Sequence, residues 1–246
     1  MSQIIPFLNR KVFFITGATG FLAKGVVEKI LRHAPDVERI YLMIRPRYRT
    51  SGKIITAQER LEREIIQANA FGSLRQKLGE RFEVLAREKL VAVPSDLTQD
   101  RLGIADEMYA QLTREVDIVI NCAATVVFDE PLDVALAQNT LGPMRVVEFA
   151  KACQNAVLVH ASTAYVSGQQ TGKILEETPV PNRTVAQAIG KAQNADFDLD
   201  REIASIQAYC EEVEKASLEP ARIAQFHKLL NRQDEGKRVT EHRRNH

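Results

Sequence analysis

Lys11-Val-Phe-Phe-Ile-Thr-Gly-Ala-Thr-Gly-Phe-Leu-Ala-Lys-Gly25 is the stretch that decides the fold. Val12 to Thr16 are all apolar or β-branched, which suits a strand buried on both faces. The strand runs straight into Gly17 and Gly20, after which Val26, Val27, Ile30 and Leu31 recur at helical spacing. A strand, a glycine turn and a helix together present backbone N–H groups and the positive end of a helix dipole to a phosphate. In the spacing Gly17-x-x-Gly20-x-x-Ala23, Gly17 makes the tight turn and Gly20 lets the backbone approach a pyrophosphate. Ala23 is small enough for helix and strand to pack closely. The expectation is a dinucleotide-binding turn.

Working outward, Arg39 to Ile44 reads as a second strand, ending in Arg45-Pro46-Arg47-Tyr48-Arg49. In a dinucleotide fold the end of this strand meets the adenosine ribose. An acid there binds the 2′-hydroxyl, whereas a basic residue accommodates a 2′-phosphate. Three arginines and no acid favour NADPH over NADH, with Arg45 as phosphate reader ahead of Arg47 and Arg49. A solvated basic loop is the alternative. Thr56 to Ala70 is a strong helix former with a charged surface, expected to be a surface insertion without chemistry. Lys89–Val93, Asp117–Asn121 and Ala156–His160 read as the third, fourth and fifth strands. Between the last two, a helix spans about Leu132 to Ala152 with a kink expected at Pro143. The alternation predicts an α/β, Rossmann-type, doubly wound parallel sheet of five strands in order 3-2-1-4-5, its cleft at the strand C-termini.

From Gln169 the texture changes to Gly, Pro, Thr and Asn up to Asn194, with turns marked by Pro179 and Pro181. Two amphipathic helices follow, about 198–215 and 221–230, joined at Pro220, then a polar tail from Asp234 expected to fray. This C-terminal helical extension divides the chain into a nucleotide-binding domain, residues 1–168, and a charged helical segment, residues 169–246. The 246 residues are 45% hydrophobic and 26% charged, ordinary for a globular protein. A net charge of +1 offers no basis for nucleic acid or anionic membrane as a partner. No apolar run reaches the length of a membrane span, and no secretory signal is expected. Cys122, Cys153 and Cys210 lie far apart, which fits a reducing cytoplasm and argues against a disulfide framework or a metal site.

Thr16-Gly-Ala-Thr-Gly-Phe-Leu22 resembles the cofactor turn of the extended short-chain dehydrogenase/reductases. Val26-Val-Glu-Lys-Ile-Leu-Arg32 is similar to their fatty acyl-CoA reductase branch, with its male-sterility-type NAD-binding domain. Cys122-Ala-Ala-Thr-Val-Val-Phe-Asp-Glu-Pro131 resembles that branch's Ala-Ala-x-Val-x-Phe-Asp pattern, a more specific match than the glycine turn. The likeness covers roughly residues 10–168. It implies cofactor contacts at Thr16, Gly17, Thr19, Gly20, Phe21, Leu22, Arg45, Asp96, Leu97, Asn121, Ala123 and Ala124. Short-chain dehydrogenases commonly place Asp-Leu or Asp-Val after the third strand, the carboxylate accepting a hydrogen bond from the adenine amino group. Asp96 is the counterpart here, with an Asx-turn or helix cap as the alternative. Asn139-Thr-Leu-Gly142 is similar to the superfamily's Asn-x-x-Gly helix motif, so Asn139 either supports the catalytic centre or packs the helix. Ala161-Ser-Thr-Ala-Tyr-Val-Ser-Gly168 resembles the Ser/Thr motif; matching Val166 and Gly168 to the family's Val-x-Gly places Thr163 as the catalytic hydroxyl, with Ser162 as the alternative.

The superfamily's general acid is a Tyr followed four residues later by Lys. Here Tyr41, Tyr48, Tyr109, Tyr165 and Tyr209 are followed at that offset by Arg45, Gly52, Thr113, Gln169 and Val213. The resemblance implies NADPH-dependent reduction of long-chain fatty acyl-CoA to fatty alcohol or aldehyde, in lipid metabolism. The missing pair makes the chain read as a fragment that ends inside a helical insert, expected to be inactive by itself. Three alternatives stay open: another extended reductase or epimerase, such as a thioester reductase domain or a sugar-nucleotide epimerase; a non-catalytic NADP-binding module; and a purely structural fragment.

Overall fold

All five residues of β1 (Val12–Thr16) are buried, because the strand is paired along both edges and covered on both faces. β2 (Arg39–Ile44) lies along one edge, with Phe13 opposite Ile40, and β3 (Leu90–Pro94) pairs with β2. β4 (Ile118–Asn121) lies along the other edge, with Thr16 opposite Asn121, and β5 (Val157–His160) pairs with β4, placing His160 opposite Asn121. Every pairing within this five-stranded sheet is parallel and the order is β3-β2-β1-β4-β5, the doubly wound arrangement expected from the sequence; Arg47–Tyr48 and Ile54–Ile55 form a separate, antiparallel pair. The computed structural model describes residues 4–49, 51–127, 129–167, 171–175, 198–225 and 227–228. The chain divides into two compact units, residues 1–164 and 165–246.

Alternation along the strands sorts the first unit's side chains into two cores. Phe13, Ile15, Ile40, Leu42 and Ile118 face one way and pack with Val27, Ile30 and Leu31 of α2 (Phe21–His33), behind the short α1 (Ile4–Leu8). Phe14, Tyr41, Met43 and Val119 face the other way. There Phe14 stacks at a tilt on Phe149, ring centroids 4.6 Å apart. β4 begins one residue later than expected. Asp117 spends its carboxylate on the start of β1, accepting from the Lys11 ammonium at 2.8 Å and the Val12 N–H at 2.9 Å. At the far edge β5 is poorly covered: Val157 and Val159 are about half exposed.

Two helices differ from their sequence expectation. Thr56 is not helical but caps the helix after it: its hydroxyl accepts from Glu59 N–H while Glu59 accepts from Thr56 N–H. α3 (Ala57–Arg60) then widens into a π-helical turn, Leu61–Ile66. With more residues per turn, Leu61, Ile65 and Ile66 all fall on the buried side. α4 (Gly72–Leu78) and α5 (Arg81–Lys89) complete this crossover, and α6 (Asp106–Glu115) leads into β4. The expected Leu132–Ala152 helix is α7 (Leu132–Leu136), a π-helical turn Ala137–Leu141, and α8 (Gly142–Ala152). Pro143 therefore follows directly on the π-helical turn, as the second residue of α8, where the widened turn already interrupts the regular hydrogen-bond ladder. Gly142 is needed for packing, since a Cβ there would lie 2.7 Å from the Leu97 side chain.

The second unit contains α9 (Leu199–Ser217), capped by the Asp198 carboxylate on the Arg201 N–H at 2.9 Å. Acids in its first turn and Lys215 in its last suit the helix dipole. Residues 220–225 are again helical. Phe128, Gly168, Pro179, Pro181, Leu230 and the tail from Asp234 lie outside the described residues. Among the described residues no helix is long and apolar enough to cross a membrane, and no cluster of His, Cys, Asp and Glu could hold a metal.

Two glycines separate packing from propensity. Gly17 has φ of +67°, and a Cβ there would lie 2.7 Å from the Cys122 carbonyl oxygen. Gly25 is inside α2, and a Cβ there would have nothing within 4 Å. Gly17→Ala is expected to lower unfolding free energy by at least about 1–2 kcal/mol, from the left-handed conformation alone. Gly25→Ala is expected to raise it by about 0.5–1 kcal/mol. Urea denaturation of both variants tests this, and equal shifts would contradict the backbone approach at Gly17.

Candidate cofactor site

A cleft of about 270 Å³ opens where β1, β2, β3 and β4 end. Gly17, Ala18, Thr19 and Gly20 form one wall. The turn is closed by Gly20 N–H on the Gly17 carbonyl at 2.8 Å. No side chain caps the start of α2, and its first turn holds no acid. The leading N–H groups of a helix have no partner within it, so here they remain for an anion. Phe21 is 95% exposed, and neither it nor Leu22 lines the cleft.

Thr16 and Asn121 do not line the cleft; they brace it from behind. The buried Thr16 hydroxyl donates to Asn121 Oδ1 and accepts from the N–H groups of Cys122 and Ala123, at 3.2 and 3.1 Å. With Oδ1 accepting, Asn121 Nδ2 is the donor to His160 Nδ1 at 2.9 Å. One chain of bonds thus ties together the ends of β1, β4 and β5. Their side chains are engaged within the protein, as polar groups this deeply buried must be. Cys122, Ala123 and Ala124, which follow, line the cleft as small residues, and burial pushes the Cys122 thiol above its usual pKa.

At the other end stand Arg45 and Arg47, with Arg49 off the lining. The Arg45 side chain is 60% exposed, its guanidinium 3.9 Å from Asp96 Oδ2, and Arg47 lies 3.8 Å from Glu64. Asp96 divides its carboxylate. Oδ1 accepts from the Thr98 N–H and hydroxyl at 2.9 and 2.8 Å, an Asx-turn, while Oδ2 faces Arg45. Met43, Ile44 and Leu97 add apolar lining. The structure also brings Arg60 to this wall, which corrects the reading of Thr56–Ala70 as chemically silent surface. Its Nε and one terminal nitrogen bond Glu64 at 2.8 and 2.7 Å, and the other terminal nitrogen donates to the Arg45 carbonyl at 2.6 Å. Those bonds, led by Arg60's, hold the Glu64 carboxyl below the usual carboxylate pKa. The available sequence signal was the Arg60–Glu64 spacing, which pairs charges on one helical face.

Asn139 is neither a helix-packing residue nor on the lining. Its Oδ1 accepts from Thr125 N–H at 2.9 Å and its Nδ2 donates to the Thr125 carbonyl at 3.0 Å, pinning the loop after β4. Ser162 and Thr163 follow β5, are exposed, and do not line this cleft.

Removing the Asn121 side chain would leave the buried Thr16 hydroxyl hydrogen without its acceptor. Asn121→Ala is therefore expected to cost about 1–3 kcal/mol of stability, the usual penalty for an unsatisfied buried partner. Chemical denaturation measures it, and a loss below about 0.5 kcal/mol, the scale of an ordinary surface substitution, would contradict the bracing role.

Comparison with known proteins agrees with this architecture. Fatty acyl-CoA reductase 1 of Arabidopsis thaliana is 45% identical over 179 residues, 72% of this chain and 35% of that protein. Alcohol-forming fatty acyl-CoA reductase of Simmondsia chinensis is 43% identical over the same length, again 72% of this chain and 35% of that protein. The chain thus spans about a third of the length of the curated relatives it matches. Among solved structures, the terminal R domain from the myxalamid PKS-NRPS biosynthetic pathway superposes with a TM-score of 0.56 at 28% identity, over 70% of this chain and 40% of that one. The family model for the male sterility protein, an NAD-binding domain, matches residues 15–239. That match begins within β1, takes in every strand end that forms the cleft and continues through α9, so the chain belongs to the male sterility protein family.

Proposed function

We propose that this chain binds NADPH in the cleft and serves the reduction of fatty acyl-CoA to fatty alcohol or aldehyde. The observation that carries the cofactor reading is the β2 exit: Arg45 and Arg47 line it, and the nearby carboxylates of Asp96 and Glu64 are already engaged by protein groups. Such an end suits a 2′-phosphate better than a bare ribose hydroxyl. The residues fit a dinucleotide elsewhere too, because a Cβ at Gly17 would collide with the backbone and the start of α2 is uncapped. The substrate reading rests on the relatives, which are named fatty acyl-CoA reductases.

In this reading the Gly17–Gly20 turn and the first N–H groups of α2 hold the pyrophosphate. Asp96 Oδ2 accepts from the adenine amino group, and Arg45 turns from Asp96 to the 2′-phosphate. Leu97 packs against the adenine, and Ala123 and Ala124 let the cofactor backbone lie close to β4. NADPH, when bound, would supply the hydride that reduces the thioester carbonyl carbon. Thr163, with Ser162 as the alternative, donates a hydrogen bond to the carbonyl oxygen as charge gathers there. Asn139 fixes the loop between these groups. Residues 1–168 form the NADP-binding domain and residues 169–246 a helical insert. Three free cysteines suit a reducing cytoplasm. The likeness to the myxalamid R domain favours one second reading, a reductase domain of a multidomain synthetase.

Arg45→Ala removes a charge-assisted contact of about 1.5–3 kcal/mol. It is expected to weaken NADPH binding by at least roughly tenfold while leaving NADH nearly unchanged; equal losses would contradict phosphate reading by Arg45. For the substrate, NADPH oxidation by the whole protein with palmitoyl-CoA should fall about 10²–10³-fold in Thr163→Ala. Activity on carrier-bound substrates alone would favour the second reading.

A further inference from the structure

Arg60 is the one buried cation among the described residues, 4% exposed, and it stands at the end of the cleft given above to the 2′-phosphate. Burying a guanidinium is costly unless its charge and donors are satisfied. Here two of its nitrogens close a fork on Glu64, at 2.8 and 2.7 Å. The third reaches 2.6 Å across to the carbonyl of Arg45, a residue fifteen positions earlier on a different element. Arg45 has just left β2 and is followed by Pro46, so the chain turns there. Its side chain is mostly exposed, and its ionic partner among the described residues, Asp96 Oδ2, is 3.9 Å away. The direction in which Arg45 points is therefore set by its backbone, and its backbone is held by Arg60.

We infer that Arg60, locked by Glu64, is a positioning residue that aims Arg45 at the 2′-phosphate and so sets discrimination between NADPH and NADH. The inference rests on the NADPH reading above. Arg60 acts through Arg45 rather than by touching the phosphate, because its strongest bonds are spent on Glu64 and the Arg45 carbonyl. Lysine keeps the charge but replaces three nitrogens fixed in one plane by a single ammonium, and loses the two-nitrogen fork on Glu64. Glu64→Gln keeps the shape of the pair and removes the charge that locks it.

The test is calorimetric binding of 2′,5′-ADP and 5′-AMP to the full chain and its Arg60→Lys, Glu64→Gln, Arg45→Ala and Arg45→Ala/Arg60→Lys variants, each checked for cooperative unfolding. Arg60→Lys is expected to weaken 2′,5′-ADP by at least about threefold, the scale of a coupling between touching residues, and to leave 5′-AMP unchanged. On the Arg45→Ala background the same substitution should have no further effect. Glu64→Gln is expected to show the same pattern more weakly, and it decides the matter if Arg60→Lys does not fold. A loss that persists without Arg45 would overturn the inference in favour of direct phosphate contact. Equal losses for both ligands, or none, would overturn it in favour of a merely structural ion pair. If wild type and Arg45→Ala both fail to distinguish the two ligands, the NADPH reading itself fails and the inference with it. Discrimination by Arg45 without any effect at Arg60 or Glu64 would sink the inference alone.

Discussion

The close approach of β1 and β4 at their C-terminal ends is the constraint on which the rest depends. Gly17 turns in the left-handed region with its Cα against the Cys122 carbonyl, leaving no room for a Cβ. One residue earlier the Thr16 hydroxyl ties the N–H groups of Cys122 and Ala123 to the same spot, with Asn121 completing the bond set and reaching on to His160. The cleft exists because these strand ends are held together from behind. Its front is then left to backbone N–H groups and small residues, the surface a phosphate and a flat ring can approach. The open end of α2 and the arginines beyond β2 add positive potential at two points along one groove.

Much of this was legible in the sequence because the signals were local and mutually consistent. Five consecutive buried residues in β1, a glycine where the turn after it needs a positive φ, and apolar spacing in α2 all point to one arrangement. Strand order followed from alternation and from the handedness of crossovers. The helices were harder. A π-helical turn has no composition of its own. Leu61–Ile66 and Ala137–Leu141 read as ordinary helix, because only tertiary packing decides that a turn widens to bury two adjacent residues or to admit a proline after it.

The site was legible in position more than in role. Gly17, Thr19, Gly20, Arg45, Asp96, Leu97, Ala123 and Ala124 stand on the cleft. Thr16 and Asn121 belong to the same motifs but turn inward, a distinction that depends on which face of a parallel strand end is already closed. Arg60 was missed because its neighbours in sequence are charged helix formers. Its significance comes from Arg45, which is distant in sequence and meets it only after the crossover has folded back. Asp96 forms the Asx-turn that was one of its two sequence readings, through Oδ1, while Oδ2 faces Arg45.

The central claim is that a dinucleotide lies along the ends of β1, β2, β3 and β4, with its pyrophosphate at the glycine turn and its 2′-phosphate beyond β2. Amide chemical-shift mapping of the isotope-labelled chain during titration with NADP⁺ tests it most directly. The account predicts saturable shifts concentrated at Gly17, Thr19, Gly20 and Phe21, at Arg45 and Arg47, and at Ala123 and Ala124, with α4 and α5 unmoved. Saturable shifts centred elsewhere, or none at millimolar cofactor, would contradict it.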